Sequence, residues 1–219
     1  RGELKSDEPL PSENELMKKY NISRGTIREA MRLLIKEGLI KRVRGIGTFV
    51  VPPKIEHETN GITSFSRVML ESGIRPSAEV LKLESMAAPF HVAKALLLPV
   101  DEEIVLVKRL RFANAERLMI ERSYYRKEIG KKLFDEDLTK SIYTMWQTKY
   151  HYELTRSEKT LEVKTVLPKD AKLLEIPKNS PVVVLRRLVY FGEEYPIEYA
   201  VDTYRSDRTV FKFKTGSAN

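Results

Sequence analysis

The chain has 219 residues, long enough for two compact domains each with its own core. Its 42% hydrophobic and 32% charged residues include no run near the roughly 18 uninterrupted apolar residues of a membrane span. The absence of cysteine excludes a disulfide framework and fits a reducing cytoplasm. The formal net charge of +8 is uneven: Lys18, Lys19, Arg24, Arg28, Arg32, Lys36, Lys41, Arg42 and Arg44 face only Glu29 and Glu37 between Leu16 and Val51, a window of +7. A basic module on a near-neutral body is the electrostatic footprint of a DNA reader, because phosphate neutralisation supplies most non-specific affinity. The module's apolar residues read as core, which leaves no insertion face for a lipid surface.

In chain order, Ser12 and Glu15 form a capping box, so a first helix runs from about Ser12 to Tyr20. After Asn21 and Ile22, Ser23 caps a second helix that Gly38 ends in the left-handed conformation, which is the spacing of a helix-turn-helix. Ile27, Ala30, Met31 and Leu34 bury one stripe of the second helix, while Arg24, Arg28 and Arg32 form a basic stripe beside it. Leu39–Val43 and Thr48–Val51 read as strands joined by a turn at Arg44-Gly45-Ile46-Gly47. Recognition helices reach base edges from their N-terminal end, so Arg24, Thr26 and Arg28 are the base-contact candidates, with Arg32 further along toward phosphate. In the turn, Gly45 and Gly47 permit tight winding and Arg44 reaches a groove or a phosphate.

The blocks Leu10-Pro11-Ser12-Glu13, Ile22 to Ala30, Glu37-Gly38-Leu39-Ile40 and Gly45 to Val50 closely resemble the winged helix-turn-helix of the GntR family of bacterial transcription regulators. The resemblance implies double-stranded operator DNA as partner. It marks Ser12, Ser23, Arg24, Thr26, Arg28, Arg32, Arg44, Gly45 and Gly47 as the DNA-binding set. The family often carries arginine where this chain has Asn14. It also implies that Arg1-Gly2-Glu3-Leu4 closes a first helix most of which this numbering omits. The winged module is thus assigned to residues 1–51.

Residues 52–61, with Pro52, Pro53 and a polar run, read as a linker. The remainder, 62–219, alternates helices and strands: a helix capped by Ser64 to Gly73, strand Glu79–Glu84, helix Pro89–Leu97, strand Glu103–Ala113 and its hairpin partner Arg117–Arg126. Ser141 then caps the helix Ile142–Tyr150, followed by strand Leu154–Val166 and helix Pro168–Ile176. Val182–Phe191 pairs with Tyr195–Tyr204 across Gly192-Glu193-Glu194. This is an antiparallel sheet with helices, an α+β domain. Ser64-Phe65, Arg109-Leu110-Arg111, Glu121 to Tyr124, Ser141-Ile142-Tyr143, Pro196-Ile197-Glu198 and Tyr204 to Arg208 resemble the UTRA effector domain of the HutC branch, which has a chorismate-lyase-like fold.

Arg109 and Arg111 share one strand face with Val105 and Val107, while Ile104, Leu106, Leu110 and Phe112 fill the other. Arginines on a strand that is apolar on both sides need an anion. That anion is either a bound phosphate or carboxylate, with Ser141 at a helix start assisting, or a neighbouring Glu or Asp with Ser141 as an ordinary cap. The resemblance places Arg109, Arg111 and Ser141 at anion-binding positions, with backbone N–H groups around Phe65 and Ser66 completing the cradle. At the opposite pole of such a ligand, Glu121, Glu198 and Tyr204 suit sugar hydroxyls or an ammonium group. The regulators most alike in motif sense phosphorylated amino sugars. The expected effector is therefore glucosamine 6-phosphate or its N-acetyl form, with another sugar phosphate or small acid as the alternative.

The resemblance also implies a cytoplasmic homodimer, formed through the sensing domain, that acts as a repressor. No cofactor, metal or catalysis is expected: His57, His91 and His151 lack metal-ligand spacing, and no nucleophile motif occurs. A DNA-binding protein without a ligand is the remaining alternative.

Overall fold

The computed structural model describes residues 8–58, 61–192 and 194–213. The expected end of a first helix at Arg1–Leu4 and the middle of the Gly192–Glu194 turn, Glu193, lie outside them. The chain divides into two compact units, Arg1–Lys54 and Ile55–Asn219.

The first unit contains α1 (Glu13–Tyr20), α2 (Arg24–Lys36) and the hairpin β1 (Ile40–Val43) and β2 (Gly47–Val50), paired from Ile40↔Val50 to Val43↔Gly47. Ser12 caps α1 in a full capping box: its hydroxyl accepts from the Glu15 amide, and the Glu15 carboxylate accepts from the Ser12 amide at 2.7 Å. Ser23 caps α2 through the Thr26 amide, and Gly38 leaves the helix at φ +73°. Of the expected apolar stripe only Ile27 is fully buried; Met31 and Leu34 are half-buried and Ala30 is exposed. Leu33, Ile35 and Leu39 are also exposed, at 47%, 42% and 50%, so the apolar residues of this unit are not all core as the sequence suggested.

In the second unit the segment expected as linker carries β3 (Ile55–Glu58), which pairs in parallel with β10 (Thr209–Lys212). Ile55 and His57 alternate inward, and the two prolines before them hide that pattern in the sequence. Ser64 caps α3 (Phe65–Glu71). The main sheet is six-stranded and antiparallel, in the order β4 (Pro76–Ala87), β5 (Glu103–Ala113), β6 (Glu116–Arg126), β9 (Tyr195–Arg205), β8 (Pro181–Phe191) and β7 (Leu154–Thr165). β4 is twice as long as its expected core Glu79–Glu84: half-buried and exposed residues alternate beyond both ends of that core, with the register shifting between Val80 and Lys82.

Helices cover both faces of this sheet. The inner face meets α3, α5 (Lys127–Gly130) and α6 (Ile142–Thr148), whose Phe65, Val68, Ile129, Ile142 and Trp146 pack on Val107, Tyr125, Leu185 and Tyr204. The outer face meets α4 (Phe90–Ala95) and α7 (Pro168–Leu174) through Val92, Leu96, Ala171 and Leu174. Between those two helices the outer face leaves a groove of about 410 Å³ over Tyr124, Tyr199, Val184 and Val201.

α5 lies against the sheet at a glycine. A Cβ on Gly130 would stand 2.4 Å from the Val105 Cβ and 2.7 Å from its Cγ2. Gly130→Ala is therefore expected to lower stability by about 1–3 kcal/mol through overpacking, read as a drop in the denaturation midpoint with the slope unchanged.

Candidate functional site

Each unit brings charged residues together. In the winged unit, Ser12, Glu13, Arg24, Arg28, Arg42, Arg44, Gly45 and Gly47 line one surface groove. Gly45 and Gly47 turn the wing tip at φ +79° and +149°. Arg24 donates from Nη2 to the Asn14 Oδ1 at 3.0 Å, so the residue that stands where the family often has arginine orients the first arginine of α2. Thr26 bonds the Ser23 hydroxyl at 2.9 Å and belongs to the cap. Arg32 makes a two-point contact with Glu29, at 3.1 and 2.9 Å, and is tied up on the helix surface.

In the second unit, strand register sets the site. Arg109 on β5 stands opposite Glu121 on β6, which stands opposite Asp202 on β9, giving one row of three charged residues on the inner face. Arg111 shares the next row with Met119 and Tyr204. The Arg109 Nε and Nη2 reach the Glu121 Oε2 at 2.8 and 2.6 Å, and the Arg111 Nη1 reaches it at 3.3 Å. Glu121 is thus not at the far pole of a ligand, as expected, but between the two arginines: cross-strand pairing supplies the counter-ion. Arg109 also donates from Nη1 to the carbonyls of Leu138 and Lys140, and Arg111 donates from Nη2 to the Ser66 Oγ at 2.9 Å while its guanidinium lies 4.5 Å from the Phe65 ring centre.

A third arginine, Arg187 on β8, enters the same cluster. It donates from Nε to the Asp202 Oδ2 at 2.9 Å and from Nη1 to the Tyr143 hydroxyl at 2.7 Å, and its Nη2 lies 3.8 Å from the Glu121 Oε1. Sequence reasoning missed Arg187, Asp202 and Tyr143. Asp202 has the strand parity of Glu198 and Tyr204, which was a usable signal; Arg187 comes from a strand distant in sequence and had none. Glu198 is buried beside them and accepts from the Tyr125 hydroxyl at 3.0 Å. Tyr204 faces a neighbouring pocket with His57 and Phe211. Ser141 caps α6 through the Thr144 amide and lines the arginine site as well.

Electrostatics divide the two acids of the row. Burial alone would raise the Glu121 carboxyl, yet Arg109, Arg111 and Arg187 hold it down to about 2. Burial pushes Asp202 up to about 7 against the pull of Arg187, with Glu121 and Glu198 adding to the rise. Burial also lowers Arg111 to about 10 despite Glu121. The Arg111 Nε and the Asp202 Oδ1 are buried without hydrogen-bond partners among the described residues. Three guanidiniums thus converge on Glu121, with Arg187 also held by Asp202, and two buried polar atoms are left over. The cavity among Ser64, Phe65, Arg111, Ser141 and Arg187 holds only about 10 Å³, less than one comfortable water.

Comparison with known proteins accounts for both units. Residues 1–50 match the family described as bacterial regulatory proteins, gntR family, and residues 71–209 match the UTRA domain. The HTH-type transcriptional repressor NagR of Bacillus subtilis is 33% identical over 210 residues, covering 96% of this chain and 86% of that protein. The chain belongs to the GntR family. As a GntR-family member with a UTRA domain, it is a DNA-binding transcriptional regulator. The probable transcriptional regulator PhnF of Escherichia coli is 28% identical over 92% of this chain and 84% of its own length. The crystal structure of PhnF from Mycobacterium smegmatis shares the fold, with a TM-score of 0.75 at 23% identity over 99% of this chain and 95% of that one. Among the described residues no helix is long and apolar enough to cross a membrane, and no group of three or more His, Cys, Asp or Glu is placed to hold a metal ion.

The pocket beside the arginines carries a pH signature. His57 packs against Phe65, Tyr204 and Phe211, and burial pushes its imidazole down to about 4. The unfolded chain takes up this proton near its ordinary pKa of about 6.5 while the folded chain does not, so stability is lost as pH falls from about 6.5 through about 4. The full difference is roughly 3 kcal/mol. His57→Phe is expected to flatten the pH dependence in that window, measured by denaturant unfolding at pH 7, 5.5 and 4.5; an unchanged slope assigns the titration elsewhere.

Proposed function

We propose that this regulator is a repressor that binds operator DNA as a homodimer through its winged units and is released by a small phosphorylated effector held at the arginine cluster. The effector class proposed is an amino-sugar phosphate, with glucosamine 6-phosphate and N-acetylglucosamine 6-phosphate first. The observation that carries this is the gathering of three buried guanidiniums, Arg109, Arg111 and Arg187, around Glu121, with the Arg111 Nε unsatisfied. A dianion with several acceptor oxygens is a natural partner for guanidinium donors gathered in this way. The motif resemblance at Arg109, Arg111 and Ser141 supports the phosphate. Glu198 and Asp202 supply acceptors for an ammonium or hydroxyl group. On the outer face Arg122 already pairs with Asp170 at 2.6 Å and Arg186 with Glu162 at 2.5 Å, which favours the inner face.

The small cavity makes the response mechanical. A sugar phosphate enters only if the starts of α3 and α6 part from the sheet, and its phosphate competes with Glu121 for the same donors. Because α3 follows β3, the first strand of the effector unit, this opening alters the segment through which the chain arrives from the winged unit. A ligand changes operator affinity to the extent that it prefers the opened arrangement. Operator half-sites are then spaced to match two winged units in a symmetric dimer.

Thermal unfolding with the two phosphosugars and their unphosphorylated counterparts tests the reading. At a hundredfold excess over the dissociation constant, a true ligand adds about 2.7 kcal/mol to the unit that binds it. The expected result is a rise in Tm with the phosphorylated sugars only, abolished in Arg111→Ala. No rise with either phosphosugar removes the amino-sugar assignment, and a rise that persists in the variant removes the arginine site.

A further inference from the structure

Glu13 stands among three arginines of the winged unit without closing on any of them. Its carboxylate lies 3.9 Å from the Arg24 Nε, 3.9 Å from the Arg28 Nε and 4.0 Å from the Arg42 Nη2. The three cations come from the first turn of α2, its second turn and β1, and their side chains are 60%, 66% and 68% exposed against 26% for Glu13. These separations exceed a hydrogen bond, so the guanidinium N–H groups stay available. Glu29 does the opposite to Arg32: its two close contacts occupy the guanidinium donors. The basic stripe of α2 is therefore divided: Arg32 is paired on the helix, while Arg24 and Arg28 gather with Arg42 of β1 around a single acid.

We propose that Glu13 is a positioning residue for sequence discrimination, which gathers Arg24, Arg28 and Arg42 toward base edges and keeps them from spreading onto phosphates. Long cationic side chains repel one another, and near a duplex each can lower its energy by turning to the nearest phosphate, a contact that carries no sequence information. A carboxylate between them counters the mutual repulsion and repels the phosphates that would draw them apart. The cost is weaker non-specific binding. The gain is that the planar donors of arginine are presented for two-point contact with the O6 and N7 of guanine. Asn14, on the same turn of α1, adds a second restraint on Arg24.

The test uses the full chain and a randomised duplex pool. The wild-type protein enriches its preferred sequence; binding of that duplex and of a scrambled one is then measured across a salt series for wild type, Glu13→Gln and Glu13→Asp, with thermal unfolding alongside. For Glu13→Gln the scrambled duplex is expected to bind several-fold tighter, with a log–log salt slope steeper by about one, the mark of one extra phosphate contact. Its preference for the enriched sequence falls about tenfold or more, spread over several base pairs, while Tm holds. Glu13→Asp, which keeps the charge, retains the wild-type salt slope. An equal loss on both duplexes, an unchanged preference, or a slope in Glu13→Asp matching that of Glu13→Gln overturns the proposal. So does a change confined to one base pair, which would make Glu13 a direct acceptor from cytosine.

Discussion

The inner face of the effector unit is governed by the need to keep three guanidiniums charged in a place that water does not reach. Arg109, Arg111 and Arg187 are 2%, 2% and 9% exposed, and Glu121 contacts all three. Such an arrangement is poor evidence of stability, because removing charges from water costs as much as their mutual attraction returns. Well-packed apolar residues would hold β5, β6, β8 and β9 together equally well. The arrangement makes sense as a place where one anion is exchanged for another. Glu121 keeps the arginines paired within the fold, and a dianion offering more acceptor oxygens could take over their donors.

The neighbouring acid completes this logic. Asp202 shares the row with Glu121, and two carboxylates side by side cannot both ionise cheaply. The three arginines hold Glu121 ionised, and the burden falls on Asp202, which burial and its acidic neighbours push up to about 7. Asp202 Oδ1 is left buried without a hydrogen-bond partner among the described residues. A ligand carrying phosphate at one end and a polar group at the other would supply partners for both the Arg111 Nε and the Asp202 Oδ1.

How much of this was legible in the sequence depends on how local each signal was. The helix starts were legible because a serine cap and its N3 partner sit within four residues: Ser12, Ser23, Ser64 and Ser141 all accept from the amide three residues on. The shared face of Arg109 and Arg111 was legible from strand alternation. The position of Glu121 was not, since it depends on the β5–β6 register, which the shift between Arg111 and Phe112 alters. Arg187 and Asp202 join through β8 and β9, which no local pattern connects to β5. In the winged unit the basic surplus between Leu16 and Val51 is plain in the sequence, whereas Glu13 lies three residues before that window and only folding brings it among the arginines. β3 was concealed for a similar reason: Pro52, Pro53 and the polar residues around them outweighed the two inward positions, Ile55 and His57.

The two units place a carboxylate among arginines by different rules, and solvent decides which rule applies. Around Glu121 water is excluded, so an unpaired guanidinium is costly: Arg109 closes to 2.6–2.8 Å and Arg111 to 3.3 Å, while Arg187, at 3.8 Å, closes on Asp202 instead. Around Glu13 the arginines are hydrated, a tight ion pair contributes little, and the contacts stay near 4 Å. A buried carboxylate therefore acts as a competitor: whatever binds must offer the arginines more than it does. An exposed one acts as a guide, biasing where the arginines point while leaving their donors available. In the proposed function, ligand selectivity in the effector unit accordingly follows from exchange of contacts, and sequence selectivity in the winged unit from orientation of groups that have yet to make theirs.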